Sequence, residues 1–295
     1  MRESDYQELR AELKKAKPVE VFPTGFEWLD EQLGGGLHEG SLLLVQAPSG
    51  VGKTSFLLSL ARNWIQRKEK VLYISAGEQT KMEILRRFTA MDMGIWYWQL
   101  INDKDCDKRV LEWLEKAWPY IDVVYTEDAM EMLPGDGKTV KDRTWLEATV
   151  RAYNVDGVKR FCYDYIGSTP CPSEDSEWSM LARVAGKLKN LADELGAVIA
   201  TAMQTNRAIY KEIRDFKPEK TAYLNEDFIS KSVGVAQKAT CCLTIIRADN
   251  RYYTDMYKNR QTGALGRLEL KIDDKVFNYE RAIGMDGFGQ KWRKL

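Results

Sequence analysis

Short runs of apolar residues alternate with longer amphipathic segments along most of the chain. The apolar runs predict buried β-strands at residues 41–47, 70–76, 121–128, 159–167 and 197–204. The segments between them predict helices at residues 54–68, 80–94, 95–118, 145–154 and 177–196. After a polar loop at 205–232, three more strands are expected at 239–248, 254–260 and 266–273. This alternation predicts an α/β fold with a mostly parallel central sheet and helices on both faces.

The two ends of the chain differ from this central pattern. Residues 4–16 predict a short charged helix that ends ahead of Pro18, with Tyr6, Leu9 and Leu13 on one stripe. Such a helix is marginally stable alone in water, so we expect it to dock on its own domain or on a neighbour's. We therefore divide the chain into an N-terminal linker helix at 1–20, a main domain at 21–283 and a C-terminal tail at 284–295.

The segment after the first buried strand has the pattern of a phosphate-binding loop. Residues 47–56 read APSGVGKTSF, in which Gly52, Lys53 and Thr54 match the end of the pattern G-x-x-x-x-G-K-[ST]. Ala47 replaces the first glycine, which is compatible with binding because alanine accepts an ordinary negative φ. The residues expected to bind ATP are Ser49, Gly50, Val51, Gly52, Lys53, Thr54 and Ser55. A turn without a ligand is the alternative, but the flanking strand and helix favour the nucleotide site.

Four side chains are candidates for the chemistry of that site. Lys53 is expected to reach the β- and γ-phosphates, and the Thr54 hydroxyl is expected to hold Mg²⁺. Asp164 ends a predicted buried strand and is the candidate acidic partner of the metal, although an aspartate at a strand end can also be a simple turn residue. Glu78 follows the strand after the loop helix and could orient the attacking water, or it could only stabilise a helix N-terminus.

Composition narrows the remaining function classes. The 295 residues include 44 basic and 44 acidic side chains, so only a local basic surface could bind nucleic acid. The five cysteines lack metal-ligand spacing and His38 is the sole histidine, which argues against zinc, a disulfide framework and Cys–His catalysis. The longest apolar runs are far shorter than the ~18–20 residues of a membrane span. With a charged N-terminus that does not resemble a secretory signal, we expect a cytoplasmic protein without membrane contact.

These motifs together resemble a known family. The order PTGFEWLDEQLGGGL, LLLVQAPSGVGKTSF, VLYISAGEQ, FCYDYIGS, KLKNLADELGAVIATAMQTNR and KNRQTGALGRLEL is similar to the RecA-type ATPase domain of DnaB-like replicative helicases. The resemblance covers roughly residues 22–275 and implies a RecA-like P-loop NTPase fold. That group also carries an alanine-started loop. The segment VLYISAGEQ is more similar to its counterpart in RadA-type recombination ATPases.

The resemblance implies further site residues. It gives Glu78 the catalytic role, and it makes Gln204 the polar residue that senses the γ-phosphate. It also makes Lys258 and Arg260 the basic pair that reaches into a neighbouring subunit's ATP site. Such a pair implies a homo-oligomeric ring, expected to be a hexamer, with ATP sites at the subunit interfaces. Without the resemblance, a K-x-R pair beside a glycine turn is more typical of a solvated strand edge.

The expected DNA contacts lie in the polar loop at 205–232. The resemblance places this loop and the one after Asp164 at a central channel, and the latter is acidic. Arg207 and Lys231 are therefore the candidates for contact with the phosphates of single-stranded DNA, against the alternative of a solvated loop. For the aromatic cluster at 96–98, packing in the core or at an interface is favoured over stacking on bases.

The function implied is a ring-forming, ATP-dependent DNA helicase that translocates on single-stranded DNA in replication. The chain is expected to be a phage-type form without the family's N-terminal domain, and a primase or a helicase loader is a further candidate partner. Two alternatives stay open: a RecA- or RadA-like DNA-dependent ATPase that acts in recombination without unwinding, and an ATP-binding helicase loader or scaffold.

Overall fold

A computed structural model of the chain describes residues 6, 7, 10, 18–77, 79–125, 144–169, 177–229, 233–273, 275, 276 and 278–283. The predicted linker helix and C-terminal tail fall largely outside these ranges, so both stay predictions. Glu78 and Lys231 also lie outside the described residues.

The described strands and helices follow one another in the predicted alternation. The strands are β1 (Val21–Phe22), β2 (Leu37–His38), β3 (Leu42–Ala47), β4 (Val71–Ser75), β5 (Ile121–Tyr125), β6 (Arg160–Asp164), β7 (Val198–Gln204), β8 (Cys241–Ala248), β9 (Arg251–Asn259), β10 (Gly266–Asp273) and β11 (Asn278–Ile283). The helices are α1 (Glu27–Leu33), α2 (Lys53–Gln66), α3 (Lys81–Met93), α4 (Tyr97–Ile101), α5 (Cys106–Ala117), α6 (Thr144–Val155), α7 (Glu177–Leu195), α8 (Ile209–Arg214) and α9 (Val233–Lys238). Short 3₁₀ turns occupy Ile166–Ser168 and Glu226–Phe228.

Most of the described strands form one mixed sheet. Its order is β11-β10-β9-β8-β3-β7-β6-β4-β5, and β1 and β2 pair separately. Neighbouring strands from β8 to β5 are parallel, whereas β8 to β11 are antiparallel. The central sheet is therefore mostly parallel, as predicted, and carries an antiparallel extension at one side.

Helices bury both faces of this sheet. On one face, Leu43 and Val45 of β3 belong to the same apolar core as residues of α2, α3 and α5. On the other face, Leu42 and Leu44 pack with residues of α6, α7 and α9. Because side chains alternate between the faces of a strand, the continuous apolar run of β3 fills both cores.

The last residues of four parallel strands, β3, β7, β6 and β4, lie at the same edge of the sheet. Ala47 ends β3 in register with Gln204, which ends β7. Ser75 ends β4 in register with Asp164, which ends β6. The carboxyl ends of these adjacent strands thus form a single edge, which is where ligands bind in open α/β sheets.

The helix that follows β4 has strong local start and stop signals. Thr80 accepts a hydrogen bond from the Glu83 backbone N–H, and the Glu83 carboxylate accepts one from the Thr80 N–H, which makes a capping box. Gly94 closes the helix in the left-handed region with φ of 64°. These signals fix where α3 begins, directly after the segment that contains Glu78.

The structure differs from the sequence prediction in several elements. The predicted polar loop at 205–232 contains α8, because Ile209 packs in a small separate core with Phe216 and Tyr253. Five further elements, α1, α9, β1, β2 and β11, were not predicted. Trp98 of the aromatic cluster is 58% exposed, so this side chain does not pack in the core, and packing at an interface stays a prediction. None of the described helices is both long enough and apolar enough to cross a bilayer.

Candidate nucleotide-binding site

The loop between β3 and α2 has an open helix N-terminus. Gly50 and Gly52 have φ angles of 75° and 113°, a region that residues with a side chain rarely adopt. Val51 N donates to Pro48 O over 3.3 Å, which closes the turn. Among the described residues, no side chain caps α2 and no acid occupies its first turn. The first amides of this helix are therefore suited to an anion such as a phosphate.

Ala47 lies in the strand and not in the turn. It is the last residue of β3, its side chain is fully buried, and its φ is not among the positive ones of the chain. Its carbonyl oxygen accepts a hydrogen bond from Thr205 N over 3.1 Å. Position 47 thus needs none of the conformational freedom of glycine, which is the physical reason that alanine fits there.

Lys53 extends from the first turn of α2 across the loop. Its Nζ lies 3.5 Å from Pro48 O and 5.8 Å from the centre of the Tyr165 ring. Both contacts place the ammonium group on the side of the loop that faces the end of β6. A cation held here would lie beside a phosphate bound at the α2 N-terminus.

Thr54 and Asp164 meet at the same edge. Thr54 Oγ1 donates to Asp164 Oδ1 over 3.3 Å, and Tyr73 Oη donates to Asp164 Oδ2 over 2.7 Å. Burial, together with the nearby Asp164 carboxylate, raises the pKa of Tyr73 well above its usual value, so that the hydroxyl remains a donor. Asp164 itself is 6% exposed. The Asp164 carboxylate is therefore oriented by hydrogen bonds from two hydroxyl groups, one of Tyr73 and one of Thr54.

A side chain from the far end of the sequence supports the loop. Tyr279 of β11 donates from Oη to Gly52 O over 3.3 Å, and its ring packs edge-on against Phe56 and Phe26. Trp28 Nε1 in turn donates to Tyr279 O over 2.9 Å. Sequence analysis missed this residue. The alternating apolar positions around it could have indicated a strand, but no local signal shows that the strand reaches the loop.

Of the other predicted nucleotide contacts, Gln204 lies close to the loop. It is half-buried at the end of β7, directly beside Ala47 in the parallel register. Glu78 is outside the described residues. Nearby in the sequence, Ala76 N donates to Asp164 O over 2.7 Å, and Ser75 Oγ donates to Gln79 O over 2.7 Å.

Arg260 lies at the opposite edge of the sheet, and Lys258 is opposite Cys242 of β8, which is in register with Leu44. Arg260 N bonds to Thr240 O, and Thr240 N bonds to Leu42 O, so Arg260 is level with the first residue of β3. The loop starts after the last residue of that strand, about 16 Å further along. The structure therefore does not bring this basic pair to the nucleotide loop of the same chain.

Both basic side chains bind the carboxyl end of α9. Lys258 Nζ donates to Ala236 O over 2.5 Å and to Gln237 O over 3.0 Å, and Arg260 Nη2 donates to Gln237 O over 3.2 Å. Cations are favoured at this end of a helix. Burial lowers the pKa of Lys258 from its usual value. Arg260 is exposed and accessible to another molecule.

Hydrogen bonds from Asn206 to backbone carbonyl groups fix the start of the segment expected to contact DNA. Asn206 N donates to Phe228 O over 2.6 Å, and Asn206 Nδ2 donates to Asp227 O over 2.9 Å. Arg207, the next residue, is exposed at the start of α8. The described candidate for phosphate contact thus projects from a fixed anchor at the carboxyl edge.

A buried ion pair holds residues 218–224 of the same loop, and sequence analysis missed it. Arg267 and Asp255 are each 3% exposed, and their side chains form two contacts of 2.6 Å. The guanidinium also donates to the carbonyl oxygens of three residues, Pro218, Thr221 and Ala222. Asp255 Oδ2 accepts from Leu224 N over 2.8 Å. The pair therefore fixes the backbone from 218 to 224 against β9 and β10.

Comparison with known proteins agrees with this arrangement. The family model of the DnaB-like helicase C-terminal domain matches residues 21–281. The replicative DNA helicase DnaB of Haemophilus influenzae is 22% identical over 289 residues, which is 92% of this chain and 58% of that protein. The DNA repair protein RadA of Mycobacterium tuberculosis is 33% identical over 118 residues, which is 40% of this chain and 24% of that protein. The chain thus matches only part of the length of these relatives.

The fold itself matches solved structures. The ATPase domain of G40P superposes with a TM-score of 0.71 at 17% identity, covering 95% of this chain and 98% of that one. The predicted RecA-like fold is confirmed by this match. Because the family model spans nearly the whole described sheet, the chain belongs to the DnaB-like helicase C-terminal domain family.

Proposed function

We propose that the chain is the ATPase of a ring-forming DNA helicase that translocates on single-stranded DNA during replication. The observation that carries this proposal is the contact between Thr54 and Asp164 beside the uncapped N-terminus of α2, in a chain of the DnaB-like family. That arrangement combines a phosphate-binding helix end with a buried carboxylate. We propose that the protein acts in the cytoplasm of a bacterial or phage-infected host cell.

ATP is held by the loop and the first turn of α2 in this proposal. Backbone amides from Ser49 to Ser55 surround the phosphates, and Lys53 neutralises the β- and γ-phosphate charge. The Thr54 hydroxyl and the Asp164 carboxylate fit Mg²⁺, because both are oxygen ligands, they lie within 3.3 Å of each other, and one carries a charge. When bound, Mg²⁺ would neutralise charge on the phosphate oxygens.

Hydrolysis requires groups from two chains. Glu78 orients or deprotonates the attacking water, and Gln204 senses the γ-phosphate. Lys258 and Arg260 of a neighbouring copy complete the site and stabilise charge on the transferring phosphoryl group. The position of Arg260 supports action on another copy, since it is level with the first residue of β3, about 16 Å of strand away from its own loop. A closed ring, a hexamer in this proposal, supplies such a neighbour to every site.

Single-stranded DNA is the nucleic acid along which the protein translocates in this proposal. Arg207 and Lys231 bind its phosphates without reading bases, which suits movement along any sequence. The exposure of Arg207 at the carboxyl edge supports this part of the proposal. A primase or a helicase loader is the expected protein partner.

A recombination ATPase is the second candidate function. The 33% identity with RadA over 118 residues favours it, as does the segment from Val71 to Gln79. Such a protein would hydrolyse ATP on DNA without separating strands. A loader or scaffold that binds ATP is a third candidate, but it would not need the complete set of Lys53, Glu78, Asp164 and Arg260.

The rate of ATP hydrolysis, measured with and without single-stranded DNA, tests the proposal. We expect hydrolysis that DNA stimulates, together with separation of a forked duplex. Stimulation without strand separation would support the recombination ATPase instead. Binding of ATP without turnover under either condition would support the loader or scaffold.

A further inference from the structure

A glutamine is buried in the strand that leads into the nucleotide loop. Gln46 immediately precedes Ala47 and is 0% exposed. By alternation along β3 its side chain lies on the same face as Leu42 and Leu44, which pack in the apolar core under α7. Apolar side chains are typical of such a position. Burying an amide there costs free energy unless its polar atoms form hydrogen bonds.

The Gln46 amide bonds to three separate elements. Its Nε2 donates to Asn225 O over 2.7 Å and to Thr244 Oγ1 over 2.6 Å. Its Oε1 accepts from Tyr257 Oη over 3.4 Å. Thr244 Oγ1 donates onward to Leu224 O. One side chain thus joins the loop strand to the segment at 224–225, to β8 and to β9.

One of these elements carries a group proposed to act on the neighbouring site, and another is hydrogen-bonded to Asn206, the residue before the proposed DNA contact Arg207. Tyr257 directly precedes Lys258 in β9. The 224–229 segment is anchored a second time at the end of β7, where Asn206 N donates to Phe228 O and Thr205 pairs with Ile229. Thr205 N also donates to Ala47 O. The 224–229 segment is therefore connected to the end of β3 twice, once through Gln46 and once through Thr205.

We propose that Gln46 is a positioning residue that couples the nucleotide loop to the 224–229 segment and to the strand that carries Lys258. A shift of the loop on binding ATP would move the last residues of β3, and the Gln46 amide would transmit that shift to both elements. This inference rests on the proposed function, because it assumes that nucleotide binds at Lys53 and Thr54. The link is physical, since it consists of direct hydrogen bonds between buried groups.

Amide hydrogen exchange of the full chain, with and without a non-hydrolysable ATP analogue and Mg²⁺, tests the coupling. In the wild type, nucleotide should slow exchange at loop residues 49–54 and at the amides of Asn206, Phe228 and Ile229 by at least about fivefold. In Gln46→Leu, the loop should still be protected, but nucleotide should change exchange at the three distant amides by less than about twofold. Thr89→Val is the matched control, because it removes the buried bond from Thr89 Oγ1 to Leu85 O within α3.

Three results would overturn this inference or its basis. If Gln46→Leu keeps the wild-type response at the three amides, Gln46 does not transmit it. If nucleotide protects the wild-type loop but leaves those amides unchanged, the coupling does not exist. If nucleotide fails to protect residues 49–54 of the wild type, the proposed function is wrong at its first step. Gln46→Met, which keeps an unbranched chain without the amide, replaces the leucine variant if that one does not fold.

Discussion

Thr54 Oγ1 donates a hydrogen bond to Asp164 Oδ1 over 3.3 Å, although 110 positions separate the two residues. The contact joins the first turn of α2 to the end of β6. It depends on β3 and β6 ending at the same edge with β7 between them. The parallel sheet therefore assembles the proposed metal site from two distant parts of the chain.

Replacing Asp164 should uncouple metal from nucleotide binding. Asp164→Asn keeps the shape of the side chain but removes the charge that attracts Mg²⁺. ATP affinity measured by calorimetry with Mg²⁺ is expected to fall about tenfold or more, and affinity in EDTA to stay within about twofold. Asp122→Asn is the control, because Asp122 also accepts a bond from a tyrosine, Tyr153, over 2.6 Å. Equal Mg²⁺ dependence in Asp164→Asn and wild type would contradict the metal assignment.

Tyr73 should affect hydrolysis through the orientation of Asp164. Tyr73→Phe removes the 2.7 Å bond to Oδ2 and leaves the ring in place. The rate of ATP hydrolysis at limiting Mg²⁺ is expected to fall about tenfold, as when groups that orient a metal ligand are removed. Tyr163→Phe is matched in burial but loses only a bond to Thr169. If both variants lose activity equally, the effect is general destabilisation.

The buried pair of Arg267 and Asp255 should be important for stability. Arg267→Met leaves the Asp255 carboxylate buried without its cation, and the free energy of unfolding in urea is expected to fall by about 3–5 kcal/mol. Adding Asp255→Leu to this variant should restore much of the loss, since the uncompensated charge is removed. Arg251→Met breaks an exposed pair with Glu269 and should cost at most about 1 kcal/mol. An Arg267→Met variant as stable as wild type would show that the pair does not hold the 218–224 backbone.

Arg260 should act on the site of another copy. Arg260→Ala is expected to reduce ATP hydrolysis about 10³-fold while nucleotide affinity stays within about twofold. Mixing it with Lys53→Ala should restore part of the activity, because mixed assemblies contain sites with an intact loop and an intact neighbouring arginine. Arg247→Ala, at the other end of the antiparallel strands, is the control. Failure of the mixture to recover any activity would count against action between copies.

Local signals were sufficient to predict the parallel strands of the sheet and the turn between β3 and α2. The strand before the loop, the residues Gly52, Lys53 and Thr54, and the helix after it are contiguous, so the pattern carries its own context. Asp164 could be predicted for the same reason, because it ends an apolar strand. The edge where they meet follows from the parallel order alone.

The features that were missed depend on pairings between distant residues. Arg267 is a charged residue in a strand, and its sequence neighbourhood suggests exposure, yet it is buried because Asp255 and three carbonyl groups surround it. Gln46 could not be distinguished from the apolar residues around it, since its partners Asn225, Thr244 and Tyr257 lie about 180–210 positions away. Helix α8 was hidden by its polar composition, and the core that stabilises it is formed with β8 and β9.

The central claim is that ATP bound at Lys53 drives separation of DNA strands, and unwinding of a forked duplex measures this directly. The wild-type protein with ATP and Mg²⁺ is expected to release the labelled strand, and Lys53→Ala is expected to release none under the same conditions. The account would be contradicted if the wild type hydrolysed ATP on single-stranded DNA without releasing the strand, or if Lys53→Ala unwound the fork as the wild type does.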